Sequence, residues 1–143
     1  MPKKIIAIIL CGGSGSRFDK TLPKQFYKIN NKSLLEINLI KFSSIKPINN
    51  IIVVASKETL DQTESICENY KVDVTLGGPS RQISVKNGLD FAEKYNADYV
   101  LIHDCARPFT SKKLIFNLLK NTSQNNGCIP VIKVTDSLKY INE

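Results

Sequence analysis

The segment Gly12-Gly13-Ser14-Gly15-Ser16 follows an apolar run and leads to Arg17, then to Pro23-Lys24-Gln25. Glycine, having no Cβ, lets backbone N–H groups close around phosphate oxygens. Cations on the two arms of such a loop can offset the charge that builds when phosphorus is attacked. The chemistry this pattern offers is phosphate binding or transfer at phosphorus; taken alone, the loop is also compatible with solvated charges beside a chain reversal. Two familiar phosphate loops are excluded. The dinucleotide pattern G-x-G-x-x-G needs glycine where Phe18 stands, and the apolar run Ile51–Ala55 is followed by Ser56, not by an acid for a ribose hydroxyl. The Walker A pattern needs Gly-Lys, a dipeptide this sequence lacks.

Loops of this kind act only when rigid elements hold them. Apolar, β-branched runs at Ile5–Cys11, Ile51–Ala55, Val72–Leu76, Tyr99–His103 and Cys128–Val134 predict strands. Between them the spacing predicts helices: Leu35, Leu39 and Phe42 behind a capping box that starts at Ser33; Leu60, Thr63, Cys67 and Tyr70; Val85, Leu89 and Ala92; and Leu114 with Leu118 behind Ser111. "INNKS" and "SQNNG" read as turns. Alternating strands and helices imply a mostly parallel sheet covered on both faces, with ligands outside the carboxyl ends of the strands. The unusual residues fall there: "CGGSGSR", "GGPSRQIS" and "HDCARPF" follow the first, third and fourth runs, and the fifth leads into "KVTDSLK".

Composition narrows the class. The 143 residues suffice for one domain, and the net charge of +7 suits an acidic ligand, although solvated lysine faces would produce the same balance. Neither an aromatic-interleaved basic stripe nor zinc-ligand spacing appears, so nucleic acid is not the expected partner. Ile5–Cys11 is far below the ~20 residues of a bilayer span and no cleavage pattern follows it, so a cytoplasmic protein without a membrane partner is expected. Cys11, Cys67, Cys105 and Cys128 are widely separated. Cys11 and Cys128 read as small buried hydrophobes, and Cys105 is not expected to be a nucleophile, because the sole histidine, His103, stands two residues away on a strand end.

Four motifs together resemble one family. "LCGGSGSRF…LPKQF", "GGPSRQISVKNGL", "VLIHDCARPF" and "TDSLK" are similar, in order and spacing, to segments of the sugar-nucleotide pyrophosphorylases. More narrowly they resemble the cytidylyltransferases of 2-C-methyl-D-erythritol 4-phosphate, with ribitol-5-phosphate cytidylyltransferases as relatives. The resemblance implies a Rossmann-like three-layer α/β/α nucleotidyltransferase fold over 1–143, without the family's C-terminal part. It implies CTP and an alditol phosphate as substrates, pyrophosphate as a product, Mg²⁺ as cofactor, and a homodimer for the intact family. By motif position, Arg17 and Lys24 stabilise the transition state, and Cys11, Gly12, Gly13 and Gly15 line the nucleotide. Gly78, Pro79 and Ser84 surround cytosine and ribose, Cys105 allows close approach to the ribose, Asp104 stands at the metal, and Ser137, oriented by Asp136, touches the alditol. Arg81 braces its turn or touches the ligand, Arg107 braces its loop, and His103 anchors the strand end. A non-catalytic nucleotide-binding relative and a hexose-1-phosphate nucleotidyltransferase are the competing readings.

Overall fold

The computed structural model describes residues 3–13, 22–137 and 139. They cluster into two compact units, Met1–Phe109 and Thr110–Glu143. The first contains β1 (Ile5–Leu10), a hairpin of β2 (Lys28–Ile29) and β3 (Lys32–Ser33), α1 (Leu34–Ser43), β4 (Ile48–Ala55), α2 (Leu60–Glu68), β5 (Asp73–Leu76), α3 (Arg81–Ala92) and β6 (Tyr99–Asp104). The second contains α4 (Lys112–Asn121).

The main sheet runs in the order β5-β4-β1-β6, with every neighbouring pair parallel. β1 lies inside because both of its faces are apolar: Ile6, Ala7, Ile8 and Ile9 are all fully buried. Its even positions, with Ile52 and Val54 of β4, form a core that takes Ala92 and Leu89 of α3. On the opposite face α1 contributes Leu35, Leu39 and Phe42, and the Phe42 ring lies 4.8 Å from that of His103. Strand period two and helix period near 3.6 thus meet on both sides of one sheet, the covered parallel sheet that the alternation implies and the Rossmann-like arrangement that the resemblance implies.

α1 begins where its capping box sets it. Ser33 Oγ accepts from the Glu36 N–H at 3.2 Å while Glu36 Oε2 accepts from the Ser33 N–H at 2.8 Å. That backbone bond holds the Glu36 carboxyl below its ordinary range. Ser33→Ala is expected to lower stability by about 1 kcal/mol in urea unfolding. The "INNKS" turn closes the small hairpin with Asn30 and Asn31 at φ of 49° and 64°, a left-handed pair that asparagine tolerates better than most residues.

The second unit corrects two expectations. Cys128–Val134 forms no strand: its backbone enters no ladder among the described residues, and Val131 and Ile132 are 82% and 93% exposed. Apolar β-branched composition favours a strand only when a partner pairs with it, and composition cannot supply the partner. Cys128 is accordingly half-buried, not a core residue. In α4 the most buried side chain is Ile115, between the half-buried Leu114 and Leu118.

Candidate active site

A cavity of about 1120 Å³ opens where β1, β4, β5 and β6 end. Of the residues singled out by sequence, Cys11, Gly12, Gly13, Lys24, Gly78, Pro79, Ser84, Asp104 and Cys105 all line it. A parallel sheet brings them together because every strand delivers its following loop to the same edge. Arg17 and Gly15 lie outside the described residues. Ser137 and Asp136 belong to the second unit, where both are exposed.

The glycine loop approaches β4 closely. A Cβ on Gly12 would stand 3.3 Å from the Ser56 nitrogen and 3.6 Å from the Ala55 carbonyl carbon, so even alanine there would require the two backbones to part by a few tenths of an ångström. Lys24 opens a single 3-10 turn, Lys24–Phe26, pinned by the buried Phe26 and by the Phe26 N–H donating to Pro23 O at 2.9 Å. The apolar anchor fixes the base of the lysine and leaves its long side chain at the cavity.

Across the cavity, the turn after β5 is shaped by its own serine. Ser84 Oγ accepts from the Gly78 N–H at 3.1 Å and lies 3.3 Å from Gly78 O as a donor. A Cβ on Gly78 would fall 2.2 Å from Ile83 Cγ2 and 2.8 Å from Ile83 Cβ. Gly78→Ala must therefore displace the turn, and is expected to lower stability by about 1–3 kcal/mol in urea unfolding.

Asp104 sits between two guanidinium groups. Arg81 reaches 23 residues along the chain to donate from Nε and Nη2 to Oδ1, at 3.2 and 3.0 Å. Arg107 donates from Nε to Oδ2 at 3.3 Å. Arg81 therefore braces its turn not locally but against the loop after β6, joining two walls of the cavity. Since the pair is well exposed, Arg81→Ala is expected to change stability by less than about 1 kcal/mol in urea. The Asp104 loop is held from beneath as well. Fully buried Asn38 donates from Nδ2 to Leu34 O and Cys105 O, both at 2.8 Å, and its Oδ1 lies 2.9 Å from His103 Nε2. Two carbonyl acceptors orient the amide, so the ring Nε2 carries the proton it gives to Oδ1. Lys41 Nζ donates to Pro108 O.

Burial lowers the pKa of His103, with the Asp104 charge and the Arg107 backbone pulling the other way. Contact with Cys105, followed by burial, pushes the Cys11 thiol well up, and burial pushes Cys67 to about 12. Neither of these two thiols is an activated nucleophile. Magnesium fits poorly on Asp104: both carboxylate oxygens already accept from guanidinium groups, and no cluster of three acidic, histidine or cysteine ligands occurs among the described residues. Mg²⁺ commonly relies on one or two carboxylates together with substrate phosphates, and here the phosphates would have to dominate.

Sequence reasoning missed part of the lining. Gln25, Ser56, Lys57 and Glu58 also face the cavity. Ser56 and its neighbours follow β4, so the rule of ligands at strand carboxyl ends reaches them too. Gln25 shares its turn with Lys24 and is almost fully buried.

A parallel sheet whose loops gather glycines, a lysine and paired guanidinium groups around one cavity has the Rossmann-like architecture of the nucleotidyltransferase fold. The solved structure of 4-diphosphocytidyl-2C-methyl-D-erythritol synthase from Anaerococcus prevotii superimposes with a TM-score of 0.70 at 31% identity, over 84% of this chain and 51% of that one. The family model described as IspD, 2-C-methyl-D-erythritol 4-phosphate cytidylyltransferase, matches residues 5–143, and the chain belongs to that family. It is 33% identical over 139 residues to the 2-C-methyl-D-erythritol 4-phosphate cytidylyltransferase of Thermotoga neapolitana, covering 96% of this chain and 63% of that protein. It is 35% identical over 145 residues to the bifunctional enzyme IspD/IspF of Wolbachia pipientis, covering 97% of this chain and 36% of that protein. The chain thus spans less than two thirds of the length of these relatives. No helix among the described residues is long and apolar enough to cross a membrane.

Proposed function

We propose that the protein transfers CMP from CTP to 2-C-methyl-D-erythritol 4-phosphate and releases pyrophosphate. The observation that carries this reading is the gathering of the three motif-bearing loops after β1, β5 and β6 around one cavity in a chain of this family. The substrate phosphate is itself the nucleophile: one of its oxygens attacks the α-phosphorus of CTP in line, and the bond to the β-phosphate oxygen breaks. No protein nucleophile is required, which accords with the raised Cys11 thiol and the buried histidine.

The protein positions two anions and offsets their repulsion. A unit charge ~4 Å away contributes roughly 4 kcal/mol at an effective dielectric of about 20, before desolvation. Lys24, and Arg17 by motif position, supply such charges. The Gly78 turn presents backbone groups to cytosine, whose amino donor and carbonyl acceptor a tight turn can pair. The Arg81–Asp104–Arg107 cluster fixes the far wall, and Ser137 would meet the alditol. Mg²⁺ is proposed to arrive on the triphosphate. A cytoplasmic homodimer is the assembly proposed with this reading.

The experiment is pyrophosphate release with CTP and 2-C-methyl-D-erythritol 4-phosphate, repeated with ribitol 5-phosphate and with other nucleoside triphosphates. Turnover specific to the first pair is expected. Preference for ribitol 5-phosphate or for another nucleotide would refute the assignment.

A further inference from the structure

Directly beneath the cavity two cysteines meet that neither fold nor reaction requires to be cysteines. β1 and β6 pair in parallel, with Leu10 opposite Asp104. The Cys105 N–H donating to Leu10 O at 3.0 Å closes that last pair, so Cys11 and Cys105 are the next residues along the two neighbouring strands, with their thiols in contact. The Cys11 N–H donates to Val54 O at 2.8 Å, so the residue is held in strand geometry from its other side too. The register places both side chains on the α1 face of the sheet, where Asn38 Nδ2 lies 3.9 Å from Cys105 Sγ. Both residues are 2% exposed, and both line the cavity floor.

We propose that Cys11 and Cys105 are a paired thiol site, closed to a disulfide by a small oxidant that enters through the nucleotide cavity. Neighbouring parallel strands lie about 4.8 Å apart, inside the roughly 4.4–6.8 Å between Cα atoms that a disulfide spans. In a parallel ladder the Cβ atoms are separated by about the same strand spacing, whereas a relaxed disulfide draws them to about 3.5–4.5 Å. The bond therefore forms under strain, and strained disulfides are readily reduced, so closure is reversible. With a diazenedicarboxamide as oxidant, the two S–H bonds break and one S–S bond forms. The two protons and two electrons pass to the N=N bond, which becomes a hydrazine. The product staples the first residue of the glycine loop to the residue after Asp104. Resting on the proposed CTP site, a second consequence follows: bound nucleotide covers the thiols and slows closure.

The test oxidises the protein with diamide in native buffer, then alkylates the remaining thiols and maps the peptides. The sequence holds four cysteines, and the expected result is a chain that runs singly on a non-reducing denaturing gel with two alkylatable thiols, a peptide joining Cys11 to Cys105, and recovery of all four thiols with dithiothreitol. Cys105→Ala abolishes the joined peptide, while Cys128→Ser leaves it in place. Four free thiols after oxidation, a bridge through Cys67 or Cys128, or a disulfide between two chains would overturn the pair, and the wild-type peptide map decides this without any variant. Oxidation in excess CTP separates the two ideas. Closure slowed at least several-fold supports both, whereas closure at an unchanged rate keeps the thiol pair and removes the nucleotide from above it.

Discussion

Lys24→Ala is expected to lower the turnover number for pyrophosphate release by about two to three orders of magnitude, as removal of one preorganised transition-state donor does elsewhere at ~2.7–4 kcal/mol. CTP affinity should fall less, by about tenfold or under, because a ground-state triphosphate retains its other contacts. The structure gives the physical reason for singling out this lysine. Its backbone lies in a turn clamped by buried Phe26 and by the Tyr27 N–H donating to Lys24 O at 3.1 Å, and its side chain lines the cavity. The base of the side chain is therefore placed in advance. Lys24→Arg, which keeps the charge but alters reach and shape, should recover part of the rate. Stopped-flow measurement of the chemical step beside equilibrium CTP binding separates the two effects; equal losses in both would make Lys24 a ground-state binder. Arg17→Ala is expected to behave the same way by its place in the motif.

The second large effect concerns stability. Asn38→Leu is expected to cost about 2–4 kcal/mol, since it strands two buried groups, the His103 Nε2–H and the Cys105 carbonyl, at roughly 1–3 kcal/mol each. Asn38→Asp tests the same contacts at nearly constant volume: the acid still accepts from His103 but has lost the amide donors facing two carbonyl oxygens. Urea midpoints read the loss, and CTP binding measured well below the midpoint reads the disturbance passed to the Asp104 loop. A change under about 0.5 kcal/mol for both variants would show that the network holds nothing up.

His103 makes that network sensitive to pH. Its pKa in the folded protein is lowered from the ordinary 6.5, chiefly by burial. Below 6.5 the unfolded chain takes up a proton more readily than the folded one, so this contribution to stability is full above the ordinary value and declines as pH falls towards the folded pKa. Urea midpoints should drop below about pH 6.5 in the wild type. The drop attributable to this residue should vanish in His103→Gln, which cannot titrate.

Much of the fold is legible from local pattern. The four runs that became the main sheet are β-branched and bounded by turns, and the capping box at Ser33 starts α1 where the spacing places it. The run Cys128–Val134 has the same composition and forms no strand, because pairing depends on a partner at long sequence separation. The site shows the same division. Gly12, Gly78 and Lys24 announce themselves by residue type, whereas Gln25, Ser56 and Lys57 are ordinary residues that position alone brings to the cavity.

The order of residues by itself determined where the glycine-rich loops lie, that they follow strands, and that the sheet is parallel, since these are properties of short stretches: glycine, period and alternation. Only the tertiary structure decided that Arg81 grips Asp104 across the cavity, that Asn38 holds His103 and Cys105 from below, and that Cys11 stands beside Cys105. Each joins segments from 23 to 94 residues apart along the chain. Such contacts follow from strand order and register, which are chosen by the packing of both faces of the sheet at once and not by any single segment.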